Sequence, residues 1–424
     1  MERPVALRRA AHAALTAAAL ATLLGAAHPA AAQSAVERRV QELERELTAL
    51  KQIVREQTIV VKETQEMAKK AAPASVRSGN SDVELKIYGQ VNRAVLFADD
   101  GKNSDTLFVD NDMSSSRVGF EGKAKVSSNF SVGAKIEVEI QENPSNSANL
   151  TTEDDSGSQG GFAVRKVELA LEDKRIGKLV LGQQSQAHDG AAEVDISGTG
   201  VFLGSLQDNF GGGIVFVNST TGTKTGPTIA TVFPNFDGSR EDSIRYYTPE
   251  IAGFVASASA ESDDRVGFSL EWAGKFAGIK GEAMLGYERI PDSAGTAVAT
   301  PSNILVGSAS FIHDSGISVT VASGRRELEE QAVSRDDLFY LYGKLGYTFS
   351  AFEFGKTSVG FDVYDGSNQA VNNDESRAYG VGLVQKVDKA ALELYGGVRL
   401  FQYDSPTATF EDVVVGMTGA RVKF

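Results

Sequence analysis

The chain has no cysteine among its 424 residues. That excludes a disulfide framework, a thiolate metal site and a thiol nucleophile. Histidine is scarce too: past the N-terminal segment only His188 and His313 remain. A Ser/His/Asp hydrolase would need one of them beside a suitably placed serine. His313 stands next to Asp314 in a predicted turn and His188 next to Asp189 in a long loop, neither in such a context. Two histidines do not build a His-rich transition-metal site, so no catalytic, metal or cofactor residues are expected. Basic charge is in deficit, with 42 Lys and Arg against 56 Asp and Glu and a net charge of −14; nucleic acid is a poor partner for such a chain. The glycines 211–213 are followed by no helix pattern and do not read as a phosphate loop. Beyond the N-terminus no run of about 18 apolar residues could cross a membrane as a helix. The mean hydropathy of −0.17 does not argue against a membrane barrel, whose strands alternate apolar and polar residues.

The first 32 residues read as a secretory signal peptide. Arg3, Arg8 and Arg9 precede an Ala/Leu run from Ala10 to Ala27, and Ala30–Ala32 supply a small-residue cleavage site. Residues 33–72 then change period. Val40, Leu47, Val54 and Val61 fall at heptad position a and Val36, Leu43 and Leu50 at d, the pattern of a coiled coil. Arg39 facing Glu44 and Glu46 facing Lys51 suit a parallel arrangement of neighbouring chains. Val at a with Leu at d favours two helices, whereas Ile53 at g widens the stripe towards more, so the number stays open. A single amphipathic helix lying on a surface is the alternative. Pro73 stops the helix, and 73–81 form a Ser/Gly/Asn linker.

From 82 to 424 the period is two. In 117–126 Val118, Phe120, Ala124 and Val126 oppose Arg117, Glu121, Lys123 and Lys125. Sixteen such strands can be placed, near 84–97, 115–126, 130–141, 162–172, 177–184, 241–248, 251–261 and 265–273, then 278–289, 303–312, 316–326, 336–348, 356–365, 376–387, 390–402 and 411–424. Tight turns (127–129, 173–176, 249–250, 274–277, 313–315, 388–389) alternate with mostly long polar loops (98–114, 142–161, 290–302, 327–335, 366–375). Short turns on one side and long loops on the other mark an all-β, antiparallel transmembrane barrel. An even count places both ends on the short-turn, periplasmic side. The segment 185–240 shows no clean strand pair; either it is one functional loop of unusual length or it hides two strands, near 213–218 and 227–233, for a total of eighteen.

The last strand ends on Phe424, with Val422 and Ala420 on the same face. A terminal aromatic suits the interfacial girdle, and bacterial outer-membrane proteins typically end this way, which is the signal read by the barrel-assembly machinery. Residues 84–424 resemble the general trimeric porins of Gram-negative bacteria. The resemblance rests on Ile87-Tyr88-Gly89, Ser116-Arg117-Val118-Gly119-Phe120-Glu121-Gly122, Gly177-Lys178-Leu179-Val180-Leu181-Gly182-Gln183 and Ser243-Ile244-Arg245-Tyr246-Tyr247-Thr248-Pro249 with Gly253-Phe254. The coiled coil looks like that of porin subfamilies with a periplasmic helical extension.

The resemblance implies a homotrimer in the outer membrane, in contact with lipid and lipopolysaccharide, passing small hydrophilic solutes and ions passively. It also implies that the third long loop folds into the barrel and presents carboxylates to a basic ladder on the wall, a preorganised field that sorts permeants. Here the loop is 185–240 and its candidate acids are Asp189, Glu193, Asp195 and Asp208. The ladder candidates are Lys86, Arg117, Lys166 and Arg245. Parity chooses Lys166 over Arg165, because Val167, Leu169 and Leu171 face lipid. The family's Pro-Glu-Phe-Gly-Gly loop tip is absent, with Asn209-Phe210-Gly211-Gly212-Gly213 as a partial counterpart. Two rival readings remain: a barrel hydrolase, disfavoured by the histidines, and a tether joining the barrel to the cell wall through the coiled coil, which could coexist with a pore. Solute and ion selectivity stays open.

Overall fold

The computed structural model describes residues 79–80, 82–151, 161–291, 301–329 and 335–424. The signal-peptide and coiled-coil readings, and most of the linker, lie outside the described residues. The chain folds into strands β1 (Val83–Asp99), β2 (Ser104–Asp110), β3 (Arg117–Lys125), β4 (Phe130–Gln141), β5 (Gly161–Asp173), β6 (Gly177–Ser185), β7 (Val215–Asn218), β8 (Thr223–Thr228), β9 (Arg240–Tyr247) and β10 (Phe254–Glu261). It continues through β11 (Val266–Phe276), β12 (Ile279–Ile290), β13 (Ser302–His313), β14 (Ile317–Leu328), β15 (Leu338–Phe352), β16 (Gly355–Ser367), β17 (Glu375–Val387), β18 (Leu392–Asp404) and β19 (Val413–Lys423). Neighbouring strands are antiparallel, and β19 pairs back onto β1, with Gln90 opposite Lys423 and Asp99 opposite Val414. The result is a closed barrel of sixteen strands with one extra strand, β2.

Closure leaves the wall without a free edge, as a spanning sheet requires. Alternation then sorts the side chains. Phe120, Ile136, Leu169, Leu181 and Ile244 are exposed on the outer face, where lipid covers them. Tyr246, Phe254, Phe276, Phe311, Phe352 and Phe424 collect near the short-turn ends and are all exposed, forming an interfacial aromatic girdle. Phe424 is fastened by reciprocal backbone hydrogen bonds to Gly89, each 3.0 Å, and its neighbour Val422 points outward with it.

Two expectations change. The alternative of eighteen strands is overturned: β7 and β8 form a separate two-stranded hairpin that pairs with no wall strand and is joined to the loop after β18 by a bridge between Asn218 and Phe410. The first long polar loop, 98–114, contains β2. This strand pairs with β1 from Arg93 to Asp99, while β3 pairs with β1 only from Val83 to Gln90. The second position of the wall is therefore shared by two strands, and residues 111–116 bulge out of the sheet between them. The bulge turns inward, because the Asn111 side chain donates to the carbonyl of Val201 in the long loop at 2.9 Å.

Candidate functional site

The site begins with the loop between β6 and β9, residues 186–239. Its sequence is too apolar for a solvated loop, and its apolar side chains find a core inside the barrel. Ala191, Phe202, Leu203, Phe210, Phe216, Val232 and Phe233 are all buried, packed with the inward residues Leu96, Tyr340, Tyr364, Phe401, Tyr403 and Val415 of the wall. The loop follows the inner wall in chain order. Ala187 bonds to Ser259 on β10, Val194 and Ile196 to Ser308 and Ser310 on β13, and Ser197 to Thr348 on β15. Phe202 then fills the space left by Gly382 and Gly397, where a Cβ would come within 2.4 and 2.5 Å of its ring. Gly212 and Gly213 let the loop backbone touch the carbonyls of Asn146 and Ser147. This gives the glycine run its reason. The hairpin β7–β8 and the helical turn α1 (Ile229–Val232) complete the segment.

Two buried cations pin the loop. Lys344 of β15 bonds to Asp195 and, at 2.9 Å, to the carbonyl of Leu203. Arg399 of β18 bonds to Gln207 and, at 2.8 Å, to Asp362, both Arg399 and Asp362 being fully buried. At the loop's entry Arg245 donates to the carbonyls of Ser185, Gln186 and Ala187, and His188 approaches Glu288 at 3.4 Å. Burial, together with Arg245 and Arg265, pushes the His188 imidazole down to about 4, so it is neutral at physiological pH and this contact is not an ion pair.

The other side of the lumen carries charge. Glu137 of β4 accepts from Tyr88 at 2.8 Å and Arg165 at 2.8 Å, with Arg117 at 3.8 Å. Glu139 accepts from Ser115 at 2.5 Å and from Arg165. Lys166 bonds to Ser185 at 3.1 Å and Glu168 at 3.2 Å. Facing this wall, Asp189 pairs with Arg240 at 3.7 Å, and Glu193 hydrogen-bonds Asp237. Arg240 is within electrostatic reach of Arg117 and Lys166, as is Asp112 of Arg165 and Asp208 of Asp112. Enclosure by protein and the Asp189 charge push Asp237 up to about 6. Asp208 is likewise raised to about 6, by enclosure and by Asp112.

The predicted residues thus separate by surroundings. Arg117 and Lys166 face the lumen beside the wall carboxylates Glu137 and Glu168, and Lys86 lies on the same inner face near the short-turn end, over the Tyr88 ring. Arg245 faces inward but is 3% exposed and holds backbone. Glu193 is exposed and Asp189 and Asp208 are partly exposed, whereas Asp195 is paired with Lys344. The parity argument that put Arg165 outside or at the rim is corrected. A β-bulge shifts the register between Glu137 and Val138, so Arg165 and Lys166 both turn inward while Val164 and Val167 are exposed on the outer face. A single bulge breaks the period of two, and nothing in the local sequence announces it. Glu137 and Glu139 were missed although their alternation with Ile136 and Val138 placed them inside. Arg240 and Asp237 were missed because they end the loop rather than begin it.

Against known proteins, the family model described as Gram-negative porin matches residues 14–406. The chain belongs to the Gram-negative porin family. No curated relative matches it. Among solved structures this porin is similar to the anion-selective porin from Comamonas acidovorans, at 15% identity and a TM-score of 0.55, covering 81% of this chain and 100% of that one. OmpT, an outer membrane protein of Vibrio cholerae, matches at 14% and 0.54 over 83% and 100%. Salmonella typhi OmpF, solved in complex with daunomycin, matches at 12% and 0.52 over 81% and 98%. At such identities the likeness is one of fold. Membership places the porin in the outer membrane as a channel for passive diffusion of solutes.

Proposed function

We propose that this porin conducts small hydrophilic solutes and ions along an eccentric route, between the charged wall β3–β6 and the loop acids. The observation that carries this is the unequal filling of the lumen. The loop's apolar side chains fill the inner face of β13–β19 towards the long-loop end, whereas the face opposite keeps its charged side chains partly exposed. A cavity of about 210 Å³ on that face borders Lys135, Lys166, Glu168 and Lys178, and one of about 350 Å³ beneath the loop borders Glu193 and Asp195 with Lys386, Glu393 and Arg421 near the short-turn ends of β17–β19. Arg117, Arg165 and Lys166 form the basic side of the eyelet. Asp189, Glu193, Asp237 and Asp208 form its acidic side. Because Glu137 and Glu139 already compensate the arginines, the field across this eyelet is weaker than a bare basic ladder would give.

A homotrimer fits the outer surface. Arg93 points outward from β1 among Val91, Val95 and Phe97, paired with Asp110 at 2.7 Å and 47% exposed. A guanidinium at that depth is costly against acyl chains and is better covered by a second subunit. OmpT of Vibrio cholerae was solved in a trimer form. Planar-bilayer recording tests both readings: conductance steps in groups of three are expected, and single isolated steps or no conductance would contradict them. The heptads of 33–72 support a periplasmic coiled coil that joins the subunits or reaches the cell wall.

A further inference from the structure

We propose that the periplasmic half of the β1–β6 wall carries a subsite for zwitterionic solutes, compounds bearing both an ammonium and a carboxylate, such as amino acids and short peptides. The proposal rests on the channel reading above but concerns the wall on the short-turn side of the eyelet, which it meets at Lys166. There, opposite signs face each other across the pore. Here they alternate on one wall.

The register sets the pattern. Lys86 on β1 is opposite Glu121 on β3, Glu121 is opposite Lys135 on β4, and Lys135 is opposite Glu168 on β5. Four successive strands thus present + − + − at one level, all on the inner face. Directly opposed cross-strand residues stand about 5 Å apart. Nearer the turns, Lys123 reaches Glu172 at 2.8 Å, and Glu172 is opposite Lys178. The cavity of about 210 Å³ in front of this grid is lined by four lysines and three glutamates, so its net charge is close to balance.

Within the grid some groups are already satisfied and some are not. Lys123 pairs with Glu172, and Lys166 pairs with Glu168. Lys135 instead lies over the Tyr88 ring and Lys178 over the Tyr247 ring, each 5.2 Å from the centroid. Among the described residues neither has a carboxylate at ion-pair distance, and Glu121 has no cation. Unmatched groups of both signs therefore border one small space. A simple anion entering it gains Lys135 and Lys178 but is repelled by the glutamates, and a simple cation meets the converse. A neutral solute displaces water from charges without replacing it. A zwitterion satisfies both signs at once: its carboxylate meets Lys135 or Lys178 and its ammonium meets Glu121. A dipeptide, about 7 Å long, spans neighbouring positions of the grid.

Proteoliposome swelling tests this with two electrically silent solutes of similar size, zwitterionic glycylglycine and uncharged N-acetylglycinamide. The wild-type porin is expected to admit glycylglycine several-fold faster. The ratio should fall to about one in E121Q/K135Q, which removes one charge of each sign and leaves the net charge unaltered. K178Q, on a different strand, should lower it partway and serves if the double variant does not assemble. A wild-type ratio of about one, or a ratio undiminished in both variants, would overturn the subsite. Failure of the channel reading looks different, since neither solute would then enter.

Discussion

The inner wall of this porin has two faces that share one strand architecture and little else. On β13–β19 a cluster of large aromatic inward residues, Tyr340, Tyr364, Phe401 and Tyr403, is buried beneath the loop together with the paired Lys344, Asp362 and Arg399. Tyr340 and Tyr364 stack with centroids 5.4 Å apart, and Phe233 from the loop packs on Tyr364 at the same spacing. On β3–β6 the inward residues include lysines, arginines and glutamates, from the buried Glu137 to the half-exposed Lys123 and Glu172. The difference shows that an amphipathic strand does not commit its inner face to water. The aromatic face belongs to a core and decides where the loop rests, and the charged face decides what passes it.

Substitutions should separate the two faces by kind of effect. The largest loss of stability is expected on the aromatic side, from Arg399→Ala. Removing one partner of a buried ion pair leaves Asp362 uncompensated, a cost of about 3–5 kcal/mol, readable in urea unfolding from lipid vesicles. Lys135→Gln on the open side should change stability by no more than about 0.5 kcal/mol. A similar cost at both positions would dissolve the distinction.

Selectivity should respond in the opposite sense. Arg165→Glu and Lys166→Glu each place a new carboxylate beside the eyelet. A unit charge 4 Å away is worth about 1 kcal/mol in water, so the cation-to-anion permeability ratio from reversal potentials should rise about fivefold. If Lys166→Glu alone responded, Arg165 would point away from the lumen. Acidification makes a smaller change. Asp237, pushed up to about 6, is ionised at pH 7 and largely neutral at pH 5. The acidic side of the eyelet therefore loses negative charge as pH falls, and the permeability ratio should shift towards anions with a midpoint near pH 6. Asp237→Asn should reduce the size of that shift, and Asp237→Asn with Asp208→Asn should flatten it, because Asp208 is also raised to about 6. The smallest effect on conductance is expected from deleting 33–72, which should leave the pore intact while loosening subunit or cell-wall association in fractionated envelopes.

How much of this was legible in the sequence follows from periodicity. The sixteen wall strands were readable because lipid on one side and lumen on the other impose a strict period of two. The loop at 185–240 was readable as the stretch where that period stops, but the purpose of its apolar stretches, such as 201–206 and 214–217, was not. They pack against residues more than a hundred positions away, such as Tyr340 and Phe401, and no local pattern links them. Arg165 was misplaced by parity because a bulge costs one residue of register and carries no composition of its own. The strand β2 was hidden for a related reason. It pairs along the upper part of β1 as an extension of the wall, so its residues need not complete a full span.

The eccentric route is tested most directly by placing single cysteines in a chain that has none of its own. With Lys135→Cys and Lys166→Cys reconstituted in planar bilayers, a negatively charged methanethiosulfonate reagent should react within seconds and lower the open-channel conductance, while Tyr364→Cys should stay unmodified and unchanged. Rapid modification and block at Tyr364→Cys, with Lys135→Cys and Lys166→Cys silent, would contradict the account.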